Sequence, residues 1–183
     1  MSLAVITIVA GAILGYVYSV TKAPIEQAAA AKQKEAIAEV TPPFNNDPEA
    51  DAKVFSEDGG EITVYPAKMD GKLVGAAVKA TSMAGFSGEI VIMVGFEADG
   101  TVKDYRVLQQ AETPGLGAKM EAWFRDPAGA RSILGRNPGT ENFYVTKDTE
   151  KQGQVDAITA ATISSRAFLE AVRNAYQAYL KSK

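Results

Sequence analysis

Two short clusters carry the hydroxyl, carboxylate and glycine groups from which a binding site could be built. The first is Asp156-Ala-Ile-Thr-Ala-Ala-Thr-Ile-Ser-Ser165, where a helical pattern begins. With Thr159 as the N-cap, Thr162 falls in the first turn, among backbone N–H groups that lack a helical partner. Free donors and the helix dipole together make that the place where a phosphate is best stabilised. The same residues serve equally well as plain caps, because Ser, Thr and Asp crowd helix starts for that reason alone. The second cluster is Glu112-Thr-Pro-Gly-Leu-Gly117. Its two glycines let backbone come close to a ligand, and its N–H groups face the start of a following short helix. Pro114-Gly115 is also simply a good turn, with Pro at i+1 and Gly at i+2.

What the side chains cannot do is as informative. The 183 residues include no histidine and no cysteine. That removes the commonest general base, thiolate nucleophiles, zinc–thiolate and Cys-ligated iron–sulfur sites, and any Ser-His-Asp triad. Nineteen Lys+Arg against 22 Asp+Glu leave a formal charge of −3, which is neither a nucleic-acid footprint nor a disordered polyelectrolyte. Redox or group-transfer chemistry in this chain needs a cofactor.

The clusters must be held by the rest of the chain. Residues 1–21 carry no charged side chain, and Leu3 to Val20 is an apolar run of 18 residues. At about 1.5 Å per residue a helix of that length approaches the thickness of a bilayer core. A cleaved signal peptide or a core helix fits less well, for want of a basic n-region, a small-x-small cleavage site or any charge. Thr7, Gly11, Gly15 and Ser19 recur every four residues and give one narrow face to this helix. A second, Ala-rich helix is predicted to start at Pro24 and run to about residue 40. Three prolines among residues 42–48 then break the chain. Asp70-Gly71 and Asp99-Gly100 each divide two β-rich runs, the strongest short signal for hairpins. Ile90 to Val94 is apolar throughout, as in a strand covered on both faces. A short helix is predicted near 118–125, another strand at 142–147, and a long amphipathic helix at about 159–180. The expected architecture is α+β: an antiparallel sheet of hairpins with packing helices, preceded by one transmembrane helix. The expected division is 1–21 as anchor, 22–48 as juxtamembrane helix and Pro-rich linker, and 49–183 as the folded domain.

Thr159-Ala-Ala-Thr162, with Asp156 before it and Ser164 after it, resembles the flavinylation motif D-x-x-[ST]-[GA]-A-T of the FMN-binding domain family. Glu112-Thr-Pro-Gly-Leu-Gly117 resembles that family's second signature, and Gly85-Phe-Ser-Gly88 a weaker third. The resemblance covers nearly the whole chain. It implies that a flavin transferase joins FMN through a phosphoester to Thr162. It further implies that Thr159, Ala161, Ile163 and Ser164 surround the phosphate and ribityl chain. Glu112, Thr113, Gly115, Leu116 and Gly117 would line the flavin ring, with Lys119 as a counter-charge. Two positions depart from the pattern. Ala160 stands where Gly is frequent, and its helix propensity predicts tolerance. Gln110 stands where many relatives carry His, and a neutral amide cannot shuttle a proton.

Within the family the resemblance runs to the electron-carrying subunits of Rnf-type ion-translocating ferredoxin:NAD oxidoreductases. The equivalent subunit of the sodium-translocating NADH:quinone reductase is the alternative, and a length of 183 residues favours the former. Implied partners are the other membrane and redox subunits. The implied location is the cytoplasmic membrane of a bacterium, single-pass, with the domain on the outer face. No substrate turnover by the chain alone is implied. A different class of reading, a non-redox membrane assembly module, would leave both clusters as turn and cap.

Overall fold

The computed structural model describes residues 3–57 and 60–183. Residues up to Glu35 form one compact unit and Ala36–Lys183 a second. The first helix, α1 (Leu3–Val40), is continuous and has Pro24 inside it. The helix start expected at Pro24 is therefore absent. Proline removes one backbone donor from the ladder, and the good helix formers around it, including the run Ala28–Ala31, carry the helix past that gap. Among the described residues α1 is the one helix long and apolar enough to cross a membrane, and its apolar window is wholly unburied.

Five strands follow: β1 (Lys53–Glu57), β2 (Gly60–Met69), β3 (Lys72–Gly85), β4 (Gly88–Glu97) and β5 (Val102–Gln109). They form one antiparallel sheet in sequence order. Both Asp-Gly pairs turn where expected, with Asp70 and Gly71 at positive φ between β2 and β3. The apolar run in β4 has its reason in two covered faces. Ile90, Ile92, Val94 and Phe96 point into the main core, whereas Met93 belongs to a second cluster with Ala36, Ile37, Val40, Tyr65 and Ala77. The last turn of α1 lies so close to the sheet that a Cβ on Gly95 would fall 1.9 Å from the Val40 carbonyl oxygen.

The main core is closed by α3 (Thr162–Ser182), whose Ala167, Phe168, Ala171, Val172, Ala175 and Tyr179 keep helical spacing and are buried. Phe168 stacks on Phe124 at 4.4 Å and meets Tyr105 edge-on at 5.0 Å. This fixes α3 against the short helix α2 (Met120–Trp123), which a single 3₁₀ turn at Gly117–Lys119 precedes. Tyr105 donates its hydroxyl to the carbonyls of Met120 and Glu121 at 2.8 and 2.9 Å, and burial pushes its ionisation up. The edge strand β5 is also protected from this side, because the Glu121 carboxylate accepts the Val107 N–H at 2.8 Å.

Residues 142–147 do not form the expected strand. Val145 makes an isolated parallel bridge to Val155, with Val155 N–H donating to Tyr144 O and Thr146 N–H to Val155 O. Phe143 and Val145 are buried while Asn142, Thr146 and Lys147 stay exposed, and the five-stranded sheet does not reach the segment. The connection from α2 to α3 is held instead by local pairs such as Arg136 with Glu141 at 2.7 Å.

Candidate functional site

The buried carboxylate of Glu112, 5% exposed, draws three segments together. Its Oε1 accepts the Ser87 N–H at 3.0 Å, and its Oε2 accepts the Ser164 hydroxyl at 2.5 Å. Ser87 lies in the two-residue loop between β3 and β4, and Ser164 in the first turn of α3. All three motifs seen in the sequence thus meet at one side chain. The space around it leaves no room for alternatives. A Cβ on Gly117 would sit 2.5 Å from Ser164 Oγ and 2.7 Å from Glu112 Oε2, and one on Gly85 would sit 2.8 Å from Oε1. Gln110 does not face the site through a titratable function; its side-chain oxygen accepts the Glu112 N–H at 2.6 Å and fixes the start of the loop.

The loop itself is a type II turn. Leu116 N–H donates to Thr113 O at 3.1 Å, and Gly115 at φ +79° supplies the left-handed residue that such a turn requires at i+2. The turn presents Thr113 and Leu116 to a cavity of about 340 Å³, of a size suited to a small organic ligand. Glu112, Thr113, Leu116, Gly117, Ala161, Thr162, Ile163 and Ser164, all expected at the site, line this cavity. Thr159, Gly115 and Lys119 do not line it. Phe86 and Ala160, which were not expected there, do.

The start of α3 differs from the expectation. The N-cap position is Ala161, not Thr159, no side chain caps it, and Thr162 is the first helical residue. The cause is Ala160, held at φ +60°, a conformation that cannot continue a helix. The turn is secured by Ser165, whose hydroxyl donates to Ala161 O at 2.9 Å and accepts the Ile158 N–H at 2.9 Å. Asp156 of the same motif is structural. It accepts the Ala130 N–H at 3.0 Å and the Thr146 hydroxyl at 3.2 Å, and its carbonyl accepts the Trp123 indole N–H at 2.9 Å. What position 160 demands is therefore backbone conformation, which Gly reaches without strain, and helix propensity is not at issue there.

Thr162 is half-buried, with the Lys147 ammonium 3.5 Å from its Oγ1. Lys147 had no signal of its own in the sequence, because only the irregular 124–161 connection carries it there. Beside it Asp148 is paired with Arg166, which holds its carboxyl below the usual carboxylate range. Among the described residues no group of three or more His, Cys, Asp or Glu could hold a metal ion.

The site thus joins a hydroxyl at an uncapped helix start, a cation beside it and an apolar cavity with a few polar groups. The FMN-binding domain family matches residues 85–177. The chain belongs to that family. It is 34% identical over 186 residues to the G subunit of the Na(+)-translocating ferredoxin:NAD(+) oxidoreductase complex of Acetobacterium woodii, covering 96% of this chain and 87% of that one. It is likewise 34% identical to the G subunit of the ion-translocating oxidoreductase complex of Cronobacter sakazakii, over 96% of this chain and 86% of the relative. The corresponding protein of Methanosarcina acetivorans is 31% identical over 96% and 89%.

The FMN-binding domain family requires room for a flat aromatic ring and a place for a phosphate, and the residues here fit both. Phe86, Leu116 and Ile163 give apolar walls, while the uncapped first turn of α3 and Lys147 favour an anion beside Thr162.

Two outcomes are expected. Glu112→Ala strands the Ser164 hydroxyl and the Ser87 amide in a buried site and should cost about 2–4 kcal/mol in urea unfolding, with Glu112→Gln losing less. Ala160→Gly should raise stability by about 1 kcal/mol by relieving the positive φ; a lower Tm for that variant would contradict the assigned backbone.

Proposed function

We propose that this chain is the membrane-anchored FMN subunit of an Rnf-type ion-translocating oxidoreductase complex, and that its flavin is covalently joined to Thr162. The observation that carries the reading is the position of the Thr162 hydroxyl. It opens α3 on the wall of an apolar cavity, where no side chain caps the first turn and the Lys147 ammonium is 3.5 Å away. A phosphoester there meets unpaired N–H donors, the positive end of a 21-residue helix and a cation.

The flavin supplies the electron chemistry that a chain without His or Cys lacks. The protein's own groups bind and orient. Glu112, through Ser164 and Ser87, holds both sides of the cavity at a fixed distance, and Phe86, Leu116 and Ile163 would give the ring apolar walls. Lys147 neutralises the phosphodiester, whereas Lys119, the candidate counter-charge for the phosphodiester or a reduced flavin in the sequence, does not line the cavity. The relatives, themselves components of ion-translocating oxidoreductase complexes, support membership of such a complex. On this reading residues 3–20 anchor the chain in a bacterial cytoplasmic membrane, the domain faces outward, and a flavin transferase loads it. The complex translocates ions as a whole, and the chain alone turns over no substrate.

Coexpression with a flavin transferase tests this. Thr162→Ala should abolish the flavin fluorescence that survives denaturing electrophoresis, with unfolding stability changed by less than about 1 kcal/mol. Lys147→Gln should lower the fraction of chain flavinylated without unfolding it. Full fluorescence in Thr162→Ala would refute the attachment.

A further inference from the structure

Seven large apolar side chains are left exposed among the described residues of 36–183; three of them, Phe86, Leu116 and Ile163, line one cavity, and a fourth, Met83, stands on the same hairpin as Phe86, beside Lys79, Thr81 and Glu89. Met83 and Phe86, 66% and 68% exposed, project from the tip of the β3–β4 hairpin. The ladder there passes from Ser82↔Ile90 to Gly85↔Gly88, so Met83 and Ala84 bulge out of register. Leu116 and Ile163, on the turn and on α3, flank the mouth of the flavin cavity. Scattered exposed apolar residues need no explanation, but a cluster around a functional opening marks an interaction surface.

On the other side of the same hairpin lies a second cavity, of about 160 Å³. Ala84 lines it together with Tyr144, Lys151, Arg166 and Arg173. The carboxylates on its wall are already engaged: Asp148 by Arg166, and Glu170 by the Ser82 hydroxyl at 2.6 Å. Arg173 and Lys151 sit over the Tyr144 ring at 3.9 and 4.9 Å, and among the described residues neither forms an ion pair. Arg173 donates to the Phe143 carbonyl at 2.5 Å, and burial lowers its hold on its proton. Asp148 and Glu170 lie on the same wall and act on Arg173 from a distance, yet against Lys151, Arg166 and Arg173 they leave the cavity one positive charge in excess, which a carboxylate brought from outside would offset. Along α3 the spacing Ile163, Arg166, Glu170, Arg173 places apolar and basic groups on one face, so the two features form a continuous strip.

We propose that this strip is the docking face for a protein partner with an apolar centre and an acidic side chain beside it. The apolar part rests on Met83, Phe86, Leu116 and Ile163, and the carboxylate enters the cavity of Lys151, Arg166 and Arg173. A concave, half-buried cation cluster suits a projecting carboxylate better than the flat surface of a lipid bilayer. Docking there would seal the flavin cavity at its open side. The inference rests on the proposed place of this chain in a complex, and it names the face by which the chain meets its neighbour.

The test places a benzophenone side chain at Met83, at Phe86 and, as a control, at Val54, which is 60% exposed but lies on β1. The full chain is irradiated in membranes that contain the assembled complex. Crosslinks from Met83 and Phe86 should exceed those from Val54 by about fivefold or more. They should map to one protein segment bearing Asp or Glu beside apolar residues. Lys151→Glu, an exposed charge reversal, should cut the yield about tenfold, and Lys72→Glu at the opposite end of β3 should not. Equal yields at Val54, predominant lipid adducts, or insensitivity to Lys151→Glu would each overturn the proposal. The same crosslinks should form in Thr162→Ala. Failure of the flavin assignment would thus appear as colourless protein with crosslinks intact, and failure of the docking face as flavin retained with crosslinks lost.

Discussion

A single buried carboxylate sets the geometry on which everything near the cavity depends. Glu112 gains two hydrogen bonds, each worth about 1.5–3 kcal/mol for a charged acceptor, against a desolvation penalty of several kcal/mol. The two roughly cancel, so the net contribution of Glu112 is to position groups more than to stabilise the fold. It makes the β3–β4 hairpin, the Thr113–Leu116 turn and the first turn of α3 share one set of coordinates. The glycine at 117 follows from the same pair, because a Cβ there would press on Ser164 Oγ and Glu112 Oε2, whereas at Gly85 the Gly88 carbonyl, 2.2 Å from such a Cβ, excludes a side chain before the carboxylate does.

The scaffold makes that arrangement rigid from below. Phe168 is held by Phe124 and Tyr105, so the start of α3 cannot drift from α2 and the turn that precedes it. The sheet is in turn gripped from the other side by the last turn of α1. A chain with formal charge −3 nevertheless places Lys147 beside Thr162 and sets Lys151, Arg166 and Arg173 against only Asp148 and Glu170 around the neighbouring cavity. That local excess suits both a phosphodiester and an acidic neighbour.

Much of this was legible in the sequence where local chemistry decides the outcome. Asp70-Gly71 and Asp99-Gly100 dictate tight hairpins, and Ile90 to Val94 must be covered on both faces, so the sheet followed directly. The lining residues of 112–117 and 161–164 were readable as motifs because a turn and a helix start depend on adjacent residues. What failed was decided by tertiary context or by one backbone angle. Pro24 sits inside α1 because a single lost hydrogen bond does not outweigh the neighbouring helix formers. Thr159 is no cap because Ala160 turns left-handed under the constraint of Ser165 and Ile158. Residues 142–147 look like a strand in propensity and find no sheet to join. Lys147 reaches Thr162 only through the path of a long irregular connection, which no spacing rule encodes.

The most direct test of the account is the intact mass of the full chain made together with a flavin transferase, followed by peptide mapping. The account predicts an added mass equal to FMN less one water, carried by the peptide that contains Thr162. An unmodified chain, with the transferase shown to be active on another acceptor in the same cells, would contradict it. In that event Glu112 and Thr162 would be reduced to a clamp and a helix start.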